Sequence, residues 1–124
     1  MKDEIVTCVI LLMLTGLFVC NCIVVKRCSR DVTKAVTYAE EAVLNDTDAH
    51  MAIKNACNTW NKRKKFLFYI TDHELILQID EKMKLSYEYL EMSDTKRSVA
   101  SLKMVRIMLE DLAGREKIRL DNIV

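Results

Sequence analysis

Between Ile5 and Val25 the chain carries no charged side chain (IVTCVILLMLTGLFVCNCIVV), and this constrains its fold more than any other feature. At the helical rise per residue, such a segment is about 31 Å long, enough to cross the hydrocarbon core of a bilayer. Only Thr7, Thr15 and Asn21 are polar within it. The run is longer than the apolar core of a typical secretory signal, and no small-residue cleavage pattern comes after it. The sequence therefore predicts a retained transmembrane helix, with everything after Lys26 hanging from it. Lipid attachment at Cys20 is disfavoured because Val19, not a small residue, precedes it. Cys8, Cys20 and Cys22 then read as small apolar membrane residues.

The chain contains no proline and only two glycines, Gly16 and Gly114. Strands and hairpins need turn residues that this chain lacks. Its fold class is therefore all-α, with long helices joined by short polar caps. Residues 1–28 are assigned to the anchor and 29–124 to one small domain. After Val25 there remain 18 Lys+Arg against 16 Asp+Glu, a near balance that gives no electrostatic footprint for nucleic acid. The cysteines form neither a CxxC motif nor a disulfide framework.

Charge around the apolar run bears on orientation. Before it stands Lys2 beside Asp3 and Glu4; after it come Lys26, Arg27, Arg30 and Lys34. The positive-inside bias places the soluble domain in the cytoplasm, where an unpaired Cys57 is at home. The opposing expectation is export, because many short-tailed N-terminal anchors translocate the domain attached to them.

Helical periodicity fills the rest. Val32, Val36, Ala39 and Val43 form one stripe, and nothing separates that helix from the anchor. Asn45-Asp46-Thr47-Asp48 is a cluster of turn and cap residues; a capping turn also accounts for its glycosylation-like Asn-Asp-Thr. A second helix carries Ile53, Ala56, Trp60, Leu67 and Ile70. Thr71-Asp72-His73-Glu74 fits a capping box, with Thr71 as the cap. A third helix shows Ile76, Ile79, Met83, Tyr87 and Leu90. Ser93-Asp94-Thr95 caps a fourth with Val99, Leu102, Val105, Leu109 and Leu112, and Gly114 is placed to end it. The apolar Ile118, Leu120, Ile123 and Val124 are expected to fold back onto the bundle. One transmembrane helix followed by a small antiparallel bundle of about four helices is the predicted architecture, with Trp60 at its centre.

The Trp60-Asn-Lys-Arg-Lys-Lys-Phe66 stretch, the Asp72-His73-Glu74 segment and the closing Glu116–Val124, together with the anchor, resemble a bacterial family known as domain of unknown function 4363. The resemblance spans nearly the whole chain. It implies a small, membrane-anchored, all-helical protein and brings no activity or catalytic residue. The Cys-rich anchor and a terminal Val124, where an aromatic residue is expected, depart from the family pattern.

Two groups of residues invite a functional reading. Lys62, Arg63, Lys64 and Lys65 form a basic run followed by Phe66 and Phe68. The ordinary reading is a solvated helix face; the functional one is contact with anionic lipid headgroups or a partner. The apolar stretch from Phe66 to Ile70 is wider than a core stripe, so part of it should face a membrane or another helix. His73 and Asp80 lie seven residues apart on one helix face and form a speculative ligand pair, with His50 as a conceivable third ligand. Zinc needs three or four convergent ligands, so the ordinary reading, a helix-start histidine, is preferred. The sequence predicts no cofactor, no metal and no catalytic residue; Cys57 on a helix stripe reads as core.

The expected function is that of a non-enzymatic, membrane-tethered protein-interaction module, with the lipid bilayer and an unknown protein as partners and a homo-oligomer as an open possibility. The alternative is a membrane-anchored sensor or regulator that binds a small ligand or metal near His73.

Overall fold

In the computed structural model the chain forms α1 (Lys2–Asn45), α2 (Ala49–Ile70), α3 (His73–Glu91) and α4 (Thr95–Ile123). The structure describes residues 1–70 and 72–123; for Ile70 and residues 116–123 it describes the backbone alone. Among the described residues there is no strand.

The expected continuity of anchor and first bundle helix is observed. α1 runs unbroken through the 28/29 boundary. Every residue from Met1 to Leu17 is exposed, so the first half of α1 stands clear of the rest of the chain. Burial begins at Cys22 and Val25 and recurs at Cys28, Val32, Val36, Ala39 and Val43. One helix thus serves as a free apolar rod and as a wall of the core.

The other walls arise from the same spacing. α1 packs on α2 and α4, and α3 packs on α2 and α4. α1 and α3 are therefore diagonal, as are α2 and α4, which is the ring of an up-down-up-down bundle. Ile53, Ala56, Trp60 and Leu67 of α2 meet Ile76, Ile79 and Met83 of α3 and Val99, Leu102, Val105, Leu109 and Leu112 of α4 in one continuous core. Trp60 is 1% exposed, at the centre that the sequence assigns to it.

Both distal turns are made without glycine. Asp46 (φ 52°) and Ser93 (φ 60°) each take the left-handed conformation just past a helix end. Thr47 N–H then donates to Ala42 O at 3.0 Å, and Asp94 N–H to Tyr89 O at 2.8 Å, closing the last carbonyls of α1 and α3. Short polar residues tolerate this conformation, which is why a chain so poor in glycine can still turn sharply.

Three expectations are corrected. The cap of α3 is Asp72, whose carboxylate accepts the Glu74 N–H at 3.0 Å; Thr71, the expected cap, lies outside the described residues. Gly114 does not end α4, which continues as helix to Ile123. Tyr87 is 40% exposed, and the core position beside it belongs to Ser86, fully buried. Ser98 Oγ donates to Ser86 O at 2.8 Å, and this close approach of α3 and α4 leaves room only for a small side chain. The side chains of Ile118, Leu120 and Ile123, and all of Val124, lie outside the described residues.

Candidate functional site

The residues singled out in the sequence gather where the end of α2 meets the start of α3. Their backbone placement comes from the antiparallel packing of α2 on α1 and α3. The geometry divides the basic run in two. Arg63 reaches across to α1 and pairs with Asp31 at 3.2 Å. Lys64 reaches across to α3 and pairs with Asp80 at 3.0 Å. Lys62 and Lys65 stay exposed and make no ion pair among the described residues. So Arg63 and Lys64 join helices, while Lys62 and Lys65 remain available to something outside the chain.

Asp80 is the hub of this corner. Its Oδ1 accepts the Trp60 indole N–H at 3.2 Å and the Lys64 ammonium at 3.0 Å. Its Oδ2 faces Lys84 at 3.1 Å, one turn further along α3. Burial pushes the Asp80 carboxyl upward, but the hydrogen bonds from Lys64, Lys84 and Trp60 outweigh it and hold the group below the usual carboxylate range. Asp80 is thus a saturated structural carboxylate.

His73 does not join it. The imidazole lies flat on Phe68, with ring centroids 4.1 Å apart and planes within 4°. The stack locks the end of α2 to the start of α3. The speculative His73–Asp80 ligand pair is not formed, and His73 stands at the helix start as in the preferred reading. His50 is at the opposite end of the bundle, where its Nδ1 lies 3.3 Å from Glu91, so it cannot complete a site with His73. Among the described residues, no three His, Cys, Asp or Glu side chains cluster as metal ligands would.

The apolar stretch is also divided. Leu67 is fully buried, whereas Phe66 is 58%, Phe68 40% and Tyr69 89% exposed. Leu77 of α3 is exposed beside them. Between the helices runs an open groove of about 420 Å³ lined by Lys64, Lys65, Phe68, Tyr69, Leu77 and Asp80. Leu77 was not singled out in the sequence; its spacing on α3 falls outside the core stripe, which was the available signal. The corner is tied to α4 by Arg115, which pairs with Asp72 at 3.0 Å.

Cys57 is half-buried, with its Sγ 3.9 Å from Met83 O. Burial pushes its thiol up, and the nearby Asp80 charge adds to this. A thiol held protonated is a weak nucleophile.

The model of a family described as domain of unknown function (DUF4363) matches residues 19–123, and the chain belongs to that family. No curated protein matches the chain, and neither does any solved structure.

Proposed function

We propose that this member of the family is a non-enzymatic module that a single transmembrane helix holds at a membrane surface for a protein partner. The observation that carries the reading is the unbroken α1. Its first half is apolar, exposed and long enough to cross a membrane, and its second half is a wall of the bundle core. Cleaving a signal near its end would cut into the residues that the core contains, since Cys22 and Val25 are already buried. A retained helix that is rigidly continuous with the bundle fixes where the bundle stands relative to the bilayer.

The titratable groups of the α2–α3 corner support a structural role. Asp80, Lys64 and Arg63 join helices, and the Cys57 thiol is held in its unreactive form. At the far end, Leu44, Met51 and Met92 are exposed around the two turns. The His50–Glu91 pair shows that these turns are adjacent, so they offer a partner an apolar tip away from the anchor. Lys26, Arg27, Arg30 and Lys34 flank the apolar segment on the bundle side, which favours a cytoplasmic bundle.

Photocrosslinking in native membranes tests the proposal. A photoreactive residue at Met51 or Met92 of the full chain should give a discrete adduct in the membrane fraction, on a chain of full intact mass. An adduct of twice the chain mass identifies the partner as a second copy. Recovery of the chain in the soluble fraction without its first twenty or so residues would overturn the reading.

A further inference from the structure

The two sides of the α2–α3 corner can be levelled against α1. Arg63 of α2 pairs with Asp31 of α1. The helices are antiparallel, so the seven residues from Arg63 to the end of α2 at Ile70 bring the corner to about the level of Val24 at equal rise per residue. An independent contact gives the same result. Ser29 Oγ of α1 donates to Leu109 O of α4 at 2.9 Å. The six residues from Leu109 to Arg115, which pairs with Asp72, reach about the level of Ile23. Both routes put the corner beside the last turn of the charge-free segment of α1, just before Lys26.

A corner at that level meets the bilayer interface. Its exposed side chains have the composition such a position demands. Lys62, Lys65, Phe66 and Tyr69 succeed one another at i, i+3, i+4 and i+7, so they share one face of α2. Tyr69 brings an amphipathic ring, the kind that gathers at headgroup level, and the partly exposed Phe68 beside it adds an apolar one. Leu77 adds an apolar side chain from α3. Lys62 and Lys65 are unpaired, and so are Lys26, Arg27 and Arg30 at the adjoining end of α1, among the described residues. Arg63 and Lys64, by contrast, are held by Asp31 and Asp80.

We infer that this corner is a second membrane contact: Phe66, Phe68, Tyr69 and Leu77 sit in the interface, while Lys62 and Lys65 bind the phosphates of anionic lipid. The contact rests on the reading of α1 as a retained anchor. It would turn a bundle hanging from one helix into one pinned at two points, with a fixed tilt. Anionic lipid is the occupant because the unpaired Lys62 and Lys65, with Lys26, Arg27 and Arg30 on the adjoining α1 turn, outnumber Glu74, the exposed carboxylate beside Leu77, and because the face is continuous with the segment that enters the bilayer.

The test uses the full chain in vesicles of phosphatidylcholine, with or without phosphatidylglycerol. Tyr69→Trp places a reporter on the corner, and Leu12→Trp places one in the anchor; emission from the native Trp60 is subtracted. Lipid brominated near the headgroup should quench Tyr69→Trp, more strongly with phosphatidylglycerol present and less at high salt. Adding Lys62→Glu and Lys65→Glu should remove that difference while quenching of Leu12→Trp by deeply brominated lipid persists. Quenching of Leu12→Trp without any at Tyr69→Trp would overturn the second contact and leave the anchor standing. Quenching at neither position would overturn both. Blue-shifted Tyr69→Trp emission that brominated lipid leaves unchanged would place a second copy of the chain on the corner and overturn the proposal. Tyr69 is almost fully exposed, and the circular dichroism of each variant checks its fold.

Discussion

Trp60 and Asp80 are joined across the α2–α3 interface by a hydrogen bond from the indole N–H to Oδ1, 3.2 Å long. The bond explains how the largest side chain of the core is buried without orphaning its one polar atom. It also sets the register of the two helices, because Lys64, one turn after Trp60, reaches the same carboxylate.

Trp60→Ala should destabilise the bundle by about 3–5 kcal/mol, the range for a large aromatic removed from a core. Trp60→Phe should cost less, because it keeps most of the apolar volume and loses only the bond to a charged acceptor, itself worth about 1.5–3 kcal/mol. Urea unfolding of both variants reads the order. A Phe variant as damaged as the Ala variant would mean that the bond to Asp80, and not the packing, holds this site.

Asp80 and Glu40 should respond to pH with opposite signs. Asp80 has its native pKa lowered, so its contribution is present above the unfolded carboxylate value and is lost as pH falls through the native value. Glu40 is buried between α1 and α4; its Oε2 meets Arg106 at 3.4 Å, while Oε1 has no hydrogen-bond partner among the described residues. Burial raises its pKa despite Arg106 and Lys103. Its charge therefore costs stability at neutral pH, and that cost fades as pH falls through the raised value towards the unfolded one. Asp80→Asn should lower the urea midpoint at neutral pH and flatten its fall in acid. Glu40→Gln should raise the neutral midpoint and make the profile fall more steeply on mild acidification than in the wild type. A lowered neutral midpoint for Glu40→Gln would show that the Arg106 pair outweighs the burial.

The stripes were legible because burial repeats with the helical period: Val32, Val36, Ile53, Ala56, Ile79, Leu102 and Leu109 all carry their position in their spacing. What failed was decided by contacts between helices. Ser86 and Tyr87 are equally good continuations of the Met83 stripe, at i+3 and i+4, and only the approach of Ser98 selects the serine. The basic run is uniform in sequence. Which lysines are paired depends on Asp31 and Asp80 arriving opposite Arg63 and Lys64, a matter of register that local sequence does not encode. His73 and Asp80 share a face, yet Phe68 holds one and Trp60 the other.

Gly114 offers a direct measurement. It reads as a helix terminator, but α4 passes through it in helical conformation. A Cβ built there meets nothing within 4 Å. Glycine in a helix interior costs roughly 0.5–1 kcal/mol relative to alanine. Gly114→Ala should therefore stabilise the protein by about that amount. Thermal unfolding of the pair decides it, and a destabilised alanine variant would mean that α4 turns at this residue in solution.

The continuity of α1 predicts where the bundle can be cut. Val25 is fully buried and Cys28 nearly so, although both lie on the anchor side of the boundary that composition suggests. A fragment starting at Ser29 loses both side chains and begins at the residue whose Oγ bonds Leu109 O, so that bond frays with the new terminus. A fragment starting at Val19 keeps them. Burial of one valine is worth about 1.5–3 kcal/mol, and the smaller cysteine adds to it, so the shorter fragment should be less stable by about 2–4 kcal/mol. Both should be strongly helical by circular dichroism, since the helical stripes beyond Ser29 are intact in each. The difference should appear in the urea midpoint, measured in mild detergent because the longer fragment exposes part of the apolar segment. Equal midpoints would mean that the anchor and the bundle are separate units joined by a helix that the core does not use.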